Sequence, residues 1–110
     1  MNEDMEDFEI RKDGSVLTVM CAEELSVVNS PALQEKLISY KDQGVNKIVF
    51  DATNLTYISS SGVRVILYCM KYLSTNLDVE FVNCNSDVLD VLDLVGLRPY
   101  ITFVDSTSDT

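Results

Sequence analysis

Histidine is absent from the chain. That removes Ser-His-Asp and Cys-His nucleophile pairs, and with them most zinc sites, whose ligand sets lean on imidazole. An enzyme built here would depend on carboxylates, Lys, Tyr or a metal held by oxygen. The expectation is therefore a protein that is not an enzyme, with no cofactor and no metal site. Cysteine is scarce: Cys21, Cys69 and Cys84 are odd in number, far apart and form no C-x-x-C. Each lies in or beside an apolar run, so they read as buried, reduced thiols acting as small hydrophobes. No stretch approaches the ~20 apolar residues that cross a bilayer, so no membrane insertion is expected. No cationic and apolar leader opens the chain either: residues 1–9 carry Glu3, Asp4, Glu6, Asp7 and Glu9 and no base. The location expected from this is cytoplasmic.

Clusters of one sign are missing where they would matter. The eight Lys and Arg are scattered from Arg11 to Arg98, whereas neutralising phosphates needs basic residues grouped on one face. Neither nucleic acid nor an anionic membrane surface is an expected partner. The formal charge of −10 is concentrated at the ends: seven of the 18 acids lie in residues 1–9 or at Asp105 and Asp109. The remaining 11 acids face 8 bases. The body thus carries about −3, and the acidic ends read as solvated termini.

What is present is enough for one core. With 110 residues, 46% of them apolar, the chain is long enough for one domain and too short for two. The expected organisation is an acidic flexible N-terminus over 1–7, a single domain over 8–104 and a loose polar tail over 105–110. Residues 8–12 alternate as a strand does, Asp13-Gly14 signals a hairpin, and 15–21 return as an antiparallel partner. Ser30-Pro31 predicts a helix start with Ser30 as its cap, running to about Asp42, with Ala32, Leu33, Leu37 and Ile38 inward and Gly44 as the stop. Residues 47–51 form a strand whose apolar centre fits cover on both faces. A helix from Ser61 or Gly62 to about Ser74 is apolar nearly all round, through Val63, Val65, Ile66, Leu67, Met70 and Leu73. A strand over 78–83, a helix over 87–94 capped by Ser86 and ended by Gly96, and a strand over 100–104 complete the order. Alternating strands and helices imply an α/β fold with a mostly parallel sheet and right-handed crossovers.

The chemistry concentrates in residues 51–67, where a buried strand ends at Asp51 and a buried helix begins after Ser59-Ser60-Ser61-Gly62. Open α/β sheets place their sites at the carboxyl ends of their strands. A helix N-terminus offers unpaired N–H groups and partial positive charge to an anion. A phosphate on Ser61 would sit there, adding about −1.5 to −2 charges. Capping is the ordinary use of such serines and fits the same pattern.

This segment resembles a known family. The run 48–51 followed by Leu55-Thr-Tyr-Ile-Ser-Ser-Ser-Gly-Val63 is similar to the acidic strand end and D-S/T-S/T-G-L of STAS domains, specifically the stand-alone anti-sigma-factor antagonists of bacteria. The stretch Val88 to Leu97, with its Gly-Leu, resembles their last helix and stop. The opening strand pair and the segment from Ser30 to Leu37 resemble their first strands and helix. The resemblance covers nearly the whole chain. It implies a STAS-like mixed, mostly parallel sheet with an N-terminal β-hairpin and helices packed on it.

It also implies a function. In that family the serine before the glycine, here Ser61, is phosphorylated by an anti-sigma factor that is also a serine kinase using ATP. The unphosphorylated antagonist binds the anti-sigma factor and frees the sigma factor for transcription. Phosphorylation ends that binding, and a serine phosphatase restores it. Ser26, Asp51, Tyr57, Ile58, Ser59, Ser60, Gly62 and Arg64 fall at or beside the matching positions and are the expected partner-binding set. Ser59 stands where the family usually has Asp, and Ser26 where many antagonists do. A constitutive adaptor subunit of a lipid-transport or sensory complex, without a phosphoryl switch, is the alternative. The expected oligomeric state is a monomer or weak dimer.

Several residues fit two uses. Asp51 either orients the serine loop or bonds local backbone. Tyr57 and Ile58 either face a partner or tuck onto the core. Arg64 either pairs with a phosphate or partner acid, or is a surface cation. Asp87, Asp90 and Asp93 form a solvated ridge more readily than a metal site. Ser106, Thr107, Ser108 and Thr110 are tail residues open to modification.

Overall fold

The computed structural model describes residues 8–105. The expectations for 1–7 and for the tail serines and threonines lie outside them. Two antiparallel strands, β1 (Glu9–Asp13) and β2 (Val16–Met20), open the domain. Gly14 sits at φ +63° between them, a conformation in which a side chain would be strained. There follow β3 (Glu24–Leu25), α1 (Ser30–Ile38), β4 (Lys47–Asp51), β5 (Tyr57–Ile58), α2 (Ser60–Tyr72), β6 (Asp78–Val82), α3 (Ser86–Leu94), a 3₁₀ turn (Arg98–Tyr100) and β7 (Thr102–Val104).

The main sheet has the order β1-β2-β4-β6-β7, parallel throughout except for the opening hairpin. One of its faces is sealed: Leu17 and Val19, Ile48 and Phe50, and Val79 and Phe81 are all buried, and Phe50 stacks on Phe81 with centroids 5.0 Å apart. The other face carries Thr18, Val49 and Glu80 in one register row, each only partly covered. Lys47 reaches Glu80 across that face at 2.9 Å. β4 was expected to be covered on both faces; it is buried on one, because period-two alternation still separates Ile48 and Phe50 from Lys47, Val49 and Asp51.

The helix ends differ from expectation in instructive ways. Asn29, not Ser30, caps α1 by position, and the helix ends at Ile38, residues 39–42 continuing as turns. Asn85 rather than Ser86 caps α3, its Oδ1 accepting from Val88 N at 2.8 Å. α2 starts at Ser60 and buries Val63, Val65, Ile66 and Cys69, while Leu67 and Tyr72 are exposed, so its burial is one-sided. The segment expected to begin the last strand is the 3₁₀ turn, closed by Tyr100 N donating to Leu97 O.

Two strands were not expected at all. β3 and β5 pair in parallel, Glu24 opposite Tyr57 and Leu25 opposite Ile58, away from the main sheet. This small ribbon brings the loop before α1 beside the loop before α2. That juxtaposition builds the site.

Candidate functional site

Ser59 begins the site. Its backbone is extended (φ −93°, ψ 175°) and its Oγ accepts from Ser61 N at 3.1 Å and Gly62 N at 3.3 Å. Val63 N donates to Ser59 O at 3.0 Å. The amides of Ser61 and Gly62, which a bare helix start would leave open, are thus already engaged, and that of Val63 makes the first intrahelical bond. Ser59 N in turn donates to Leu25 O at 2.9 Å, tying the cap to β3.

Gly62 explains how closely these pieces approach. A Cβ at this position would lie 2.7 Å from Leu25 Cγ, 2.8 Å from Ile58 Cγ1 and 2.9 Å from Leu25 O. Those distances are inside van der Waals contact, so only glycine lets the first turn of α2 settle onto the β3–β5 ribbon. Gly62 is buried and Ile58 is 3% exposed. Both are covered in this fold, unlike the exposed members of the expected partner-binding set, and lie beneath the surface. Tyr57, one position earlier on the strand, points the other way and is exposed.

The Ser26 loop stands beside this turn. Ser26 N donates to Asn29 Oδ1 at 2.8 Å, Asn29 Nδ2 donates to Glu24 O at 2.8 Å, and Ser26 Oγ accepts from Val28 N at 3.2 Å. Asn29 therefore spends its side chain on the loop and makes no cap bond to α1. The locked loop holds Val27 and Val28 out in solvent, Val28 at 86% exposure. These two valines and Asn29 were not singled out from sequence, since nothing local marks an apolar pair as outward-facing.

Ser61 occupies the second position of α2 and is half-buried; Ser60 is exposed. A cleft of about 200 Å³ opens beside Ser61 between α1 and α2, lined by Ser30, Pro31, Gln34, Ser61, Arg64 and Val65. Arg64 is exposed and lies one turn from Ser61 on the same helix face. Asp51 is elsewhere: its Oδ1 accepts from Thr53 N at 3.1 Å and Thr53 Oγ1 at 2.6 Å, and Thr53 Oγ1 accepts from Asn83 Nδ2 at 2.9 Å. It fixes the turn after β4 and bonds none of the serines. Asp87, Asp90 and Asp93 are exposed on α3.

The thiols lie apart from this surface. Burial pushes Cys21 up to about 12, helped by Asp51 and Cys84, and pushes Cys69 up to about 12 and Cys84 up to about 11. All three are free. No helix among the described residues is long and apolar enough to cross a membrane.

The STAS domain family model matches residues 7–110 of the chain. A protein described as a candidate anti-sigma factor antagonist, BtrV of Bordetella bronchiseptica, is 34% identical over 70 residues, which cover 62% of this chain and 60% of that protein. Among solved structures, the anti-sigma factor antagonist SpoIIAA in its unphosphorylated form superposes with a TM-score of 0.78 at 21% identity, over 87% of this chain and 86% of that one. The Bacillus SpoIIAA in its phosphorylated form gives 0.71 at 21% identity, over 87% and 89%. A protein of Thermotoga maritima described as a candidate anti-sigma factor antagonist gives 0.79 at 23% identity, over 96% and 92%. The mixed sheet with its antiparallel hairpin and three helices is the fold these structures share.

Proposed function

This chain belongs to the STAS domain family, and from that premise we propose that it is a cytoplasmic, non-enzymatic anti-sigma factor antagonist switched by phosphorylation of Ser61. Unphosphorylated, it binds an anti-sigma factor that is also a serine kinase, through Ser26, Val27, Val28, Tyr57, Ser60, Ser61 and Arg64. The kinase transfers the γ-phosphoryl group of ATP to Ser61 Oγ: the Oγ–H bond and the bond from phosphorus to the bridging oxygen break, an Oγ–P bond forms, and ADP and a proton leave. A serine phosphatase hydrolyses the ester and resets the switch. Asp51 and Ser59 hold the surface from behind rather than meeting the partner.

One observation carries this reading: the Ser61 hydroxyl lies at the rim of a capped helix start, beside a locked loop that holds two valines in solvent. An exposed apolar patch next to a modifiable hydroxyl is what a reversible interface needs. Ser61 sits in the first turn, so a doubly charged group there is tolerated by the helix dipole while it repels a surface shaped for a neutral hydroxyl.

The test uses the cognate kinase and ATP. Intact-mass measurement should show one phosphoryl group on the wild type and none on Ser61→Ala. In binding assays Ser61→Ala should hold the partner even with ATP present, and Ser61→Asp should bind at least tenfold more weakly. Equal affinity of both variants with wild type would instead favour a constitutive adaptor.

A further inference from the structure

Ser30 is buried at the first position of α1, 2% exposed, and its Oγ has no hydrogen-bond partner among the described residues. Burying a hydroxyl without a partner is costly, and such atoms are rare unless something else satisfies them. Ser30 lies on the wall of the α1–α2 cleft that Ser61 borders from the other helix. Two further polar side chains share that wall. Gln34 is half-buried, one turn along α1, and Arg64 is exposed, one turn along α2; neither makes a hydrogen bond or ion pair among the described residues. The cleft therefore collects a hydroxyl, an amide and a guanidinium, all able to donate and all unengaged. Its about 200 Å³ is room for several waters at ~30 Å³ each, enough for a tetrahedral oxyanion.

The helix start itself has most of its donors engaged, the Ser60 amide excepted. Ser59 Oγ already takes the amides of Ser61 and Gly62, and Ser59 O takes that of Val63. Beyond the Ser60 amide, a phosphate on Ser61 has to find side-chain donors, and the cleft is where they are.

We propose that the phosphoryl group on Ser61 folds into the α1–α2 cleft and is held by this chain's own Arg64, Gln34 and Ser30. This rests on Ser61 being the phosphoacceptor and adds what becomes of the group once attached. The phosphate clamps α1 to α2 and draws Arg64 out of the partner-binding surface. The switch then works by withdrawing a contact as well as by repulsion. Arg supplies a fork matched to phosphate oxygens, Ser30 gains the acceptor it lacks, and Gln34 closes the third side.

The experiment installs phosphoserine at position 61 during translation, so no kinase is required. Thermal midpoints are then compared for phosphorylated and unmodified protein in three backgrounds: wild type, Arg64→Gln and Ser30→Ala. In the wild type the phosphate should raise the midpoint by about 5 °C. Arg64→Gln should abolish that gain and Ser30→Ala should reduce it, although Ser30→Ala raises the midpoint of the unmodified protein by removing an unpaired hydroxyl. In the wild-type background, which involves no substitution, the Arg64 Nε–H resonance should shift and gain protection from exchange on phosphorylation. No gain, or the same gain in all three backgrounds, with an unmoved Arg64 resonance, overturns the cradle. A kinase that leaves Ser61 unmodified overturns the functional reading instead, and the two failures are separable because only the second needs the kinase.

Discussion

Ser59 decides how the serine run is used. Three serines precede Gly62, and from the sequence any of them could cap the helix; the extended backbone at Ser59 and its bonds to Ser61 N and Gly62 N select the first. Ser59→Ala should therefore lower stability by about 1 kcal/mol, read as a shift in urea midpoint at unchanged slope. Ser59→Asp keeps the acceptor and adds a negative charge at the positive end of α2, so it should equal or exceed wild type by a few tenths of a kcal/mol. An unchanged midpoint for Ser59→Ala would show that the cap contributes nothing. The absence of Asp from this position is thus no loss to the fold. Its consequence is electrostatic: Ser61 is left without a carboxylate two residues away. The same residue scale hid Ser30. Ser-Pro is a strong helix-start signal, but Asn29 takes the cap position and turns its side chain back to Glu24 and Ser26. A hydroxyl read as a satisfied cap is in fact buried, with no hydrogen-bond partner among the described residues.

Elements were legible in proportion to their length. The hairpin, the strands at 47–51 and 78–82 and all three helices follow from alternation, period and punctuation, and the structure has each within a few residues. β3 and β5 were not legible because two residues cannot display a period of two. What marks them is tertiary: Leu25 and Ile58 are buried together, and Thr56 N and Ser59 N donate to Glu23 O and Leu25 O. Gly62 is the price of that ribbon. Gly62→Ala would gain about 1 kcal/mol in helix propensity. It would also drive a methyl within 2.9 Å of the Leu25 carbonyl, backbone that cannot rotate away. Overpacking of this kind costs about 1–3 kcal/mol, so a net loss of up to about 2 kcal/mol is expected in chemical denaturation, together with weaker partner binding as β3 and the Ser26 loop are pushed off α2. A Gly62→Ala protein as stable as wild type and binding equally well would mean that the ribbon yields freely and does not set the surface.

At the scale of the whole molecule, the apolar content foretold one core. The one-sided cover of the sheet was hidden because Val49 in the centre of β4 mimics a strand buried on both faces. The buried side holds two thiols, Cys21 and Cys69, each pushed up to about 12 from 9.0, mainly by burial. The direction fixes the pH dependence. Above pH 9 the unfolded chain loses both thiol protons while the folded chain keeps them, so the unfolded state binds fewer protons and folding stability falls as pH rises. The window runs from 9.0 to about 12, and each thiol steepens the decline by up to about 1.4 kcal/mol per pH unit. Below pH 9 both states hold the protons and this contribution is fully present. The informative quantity is a difference between proteins. Cys69→Ala should start less stable, from the lost packing, yet decline less steeply between pH 9.5 and 11. Parallel stability curves for the two proteins would show that Cys69 ionises as easily folded as unfolded, and that the core around α2 admits charge.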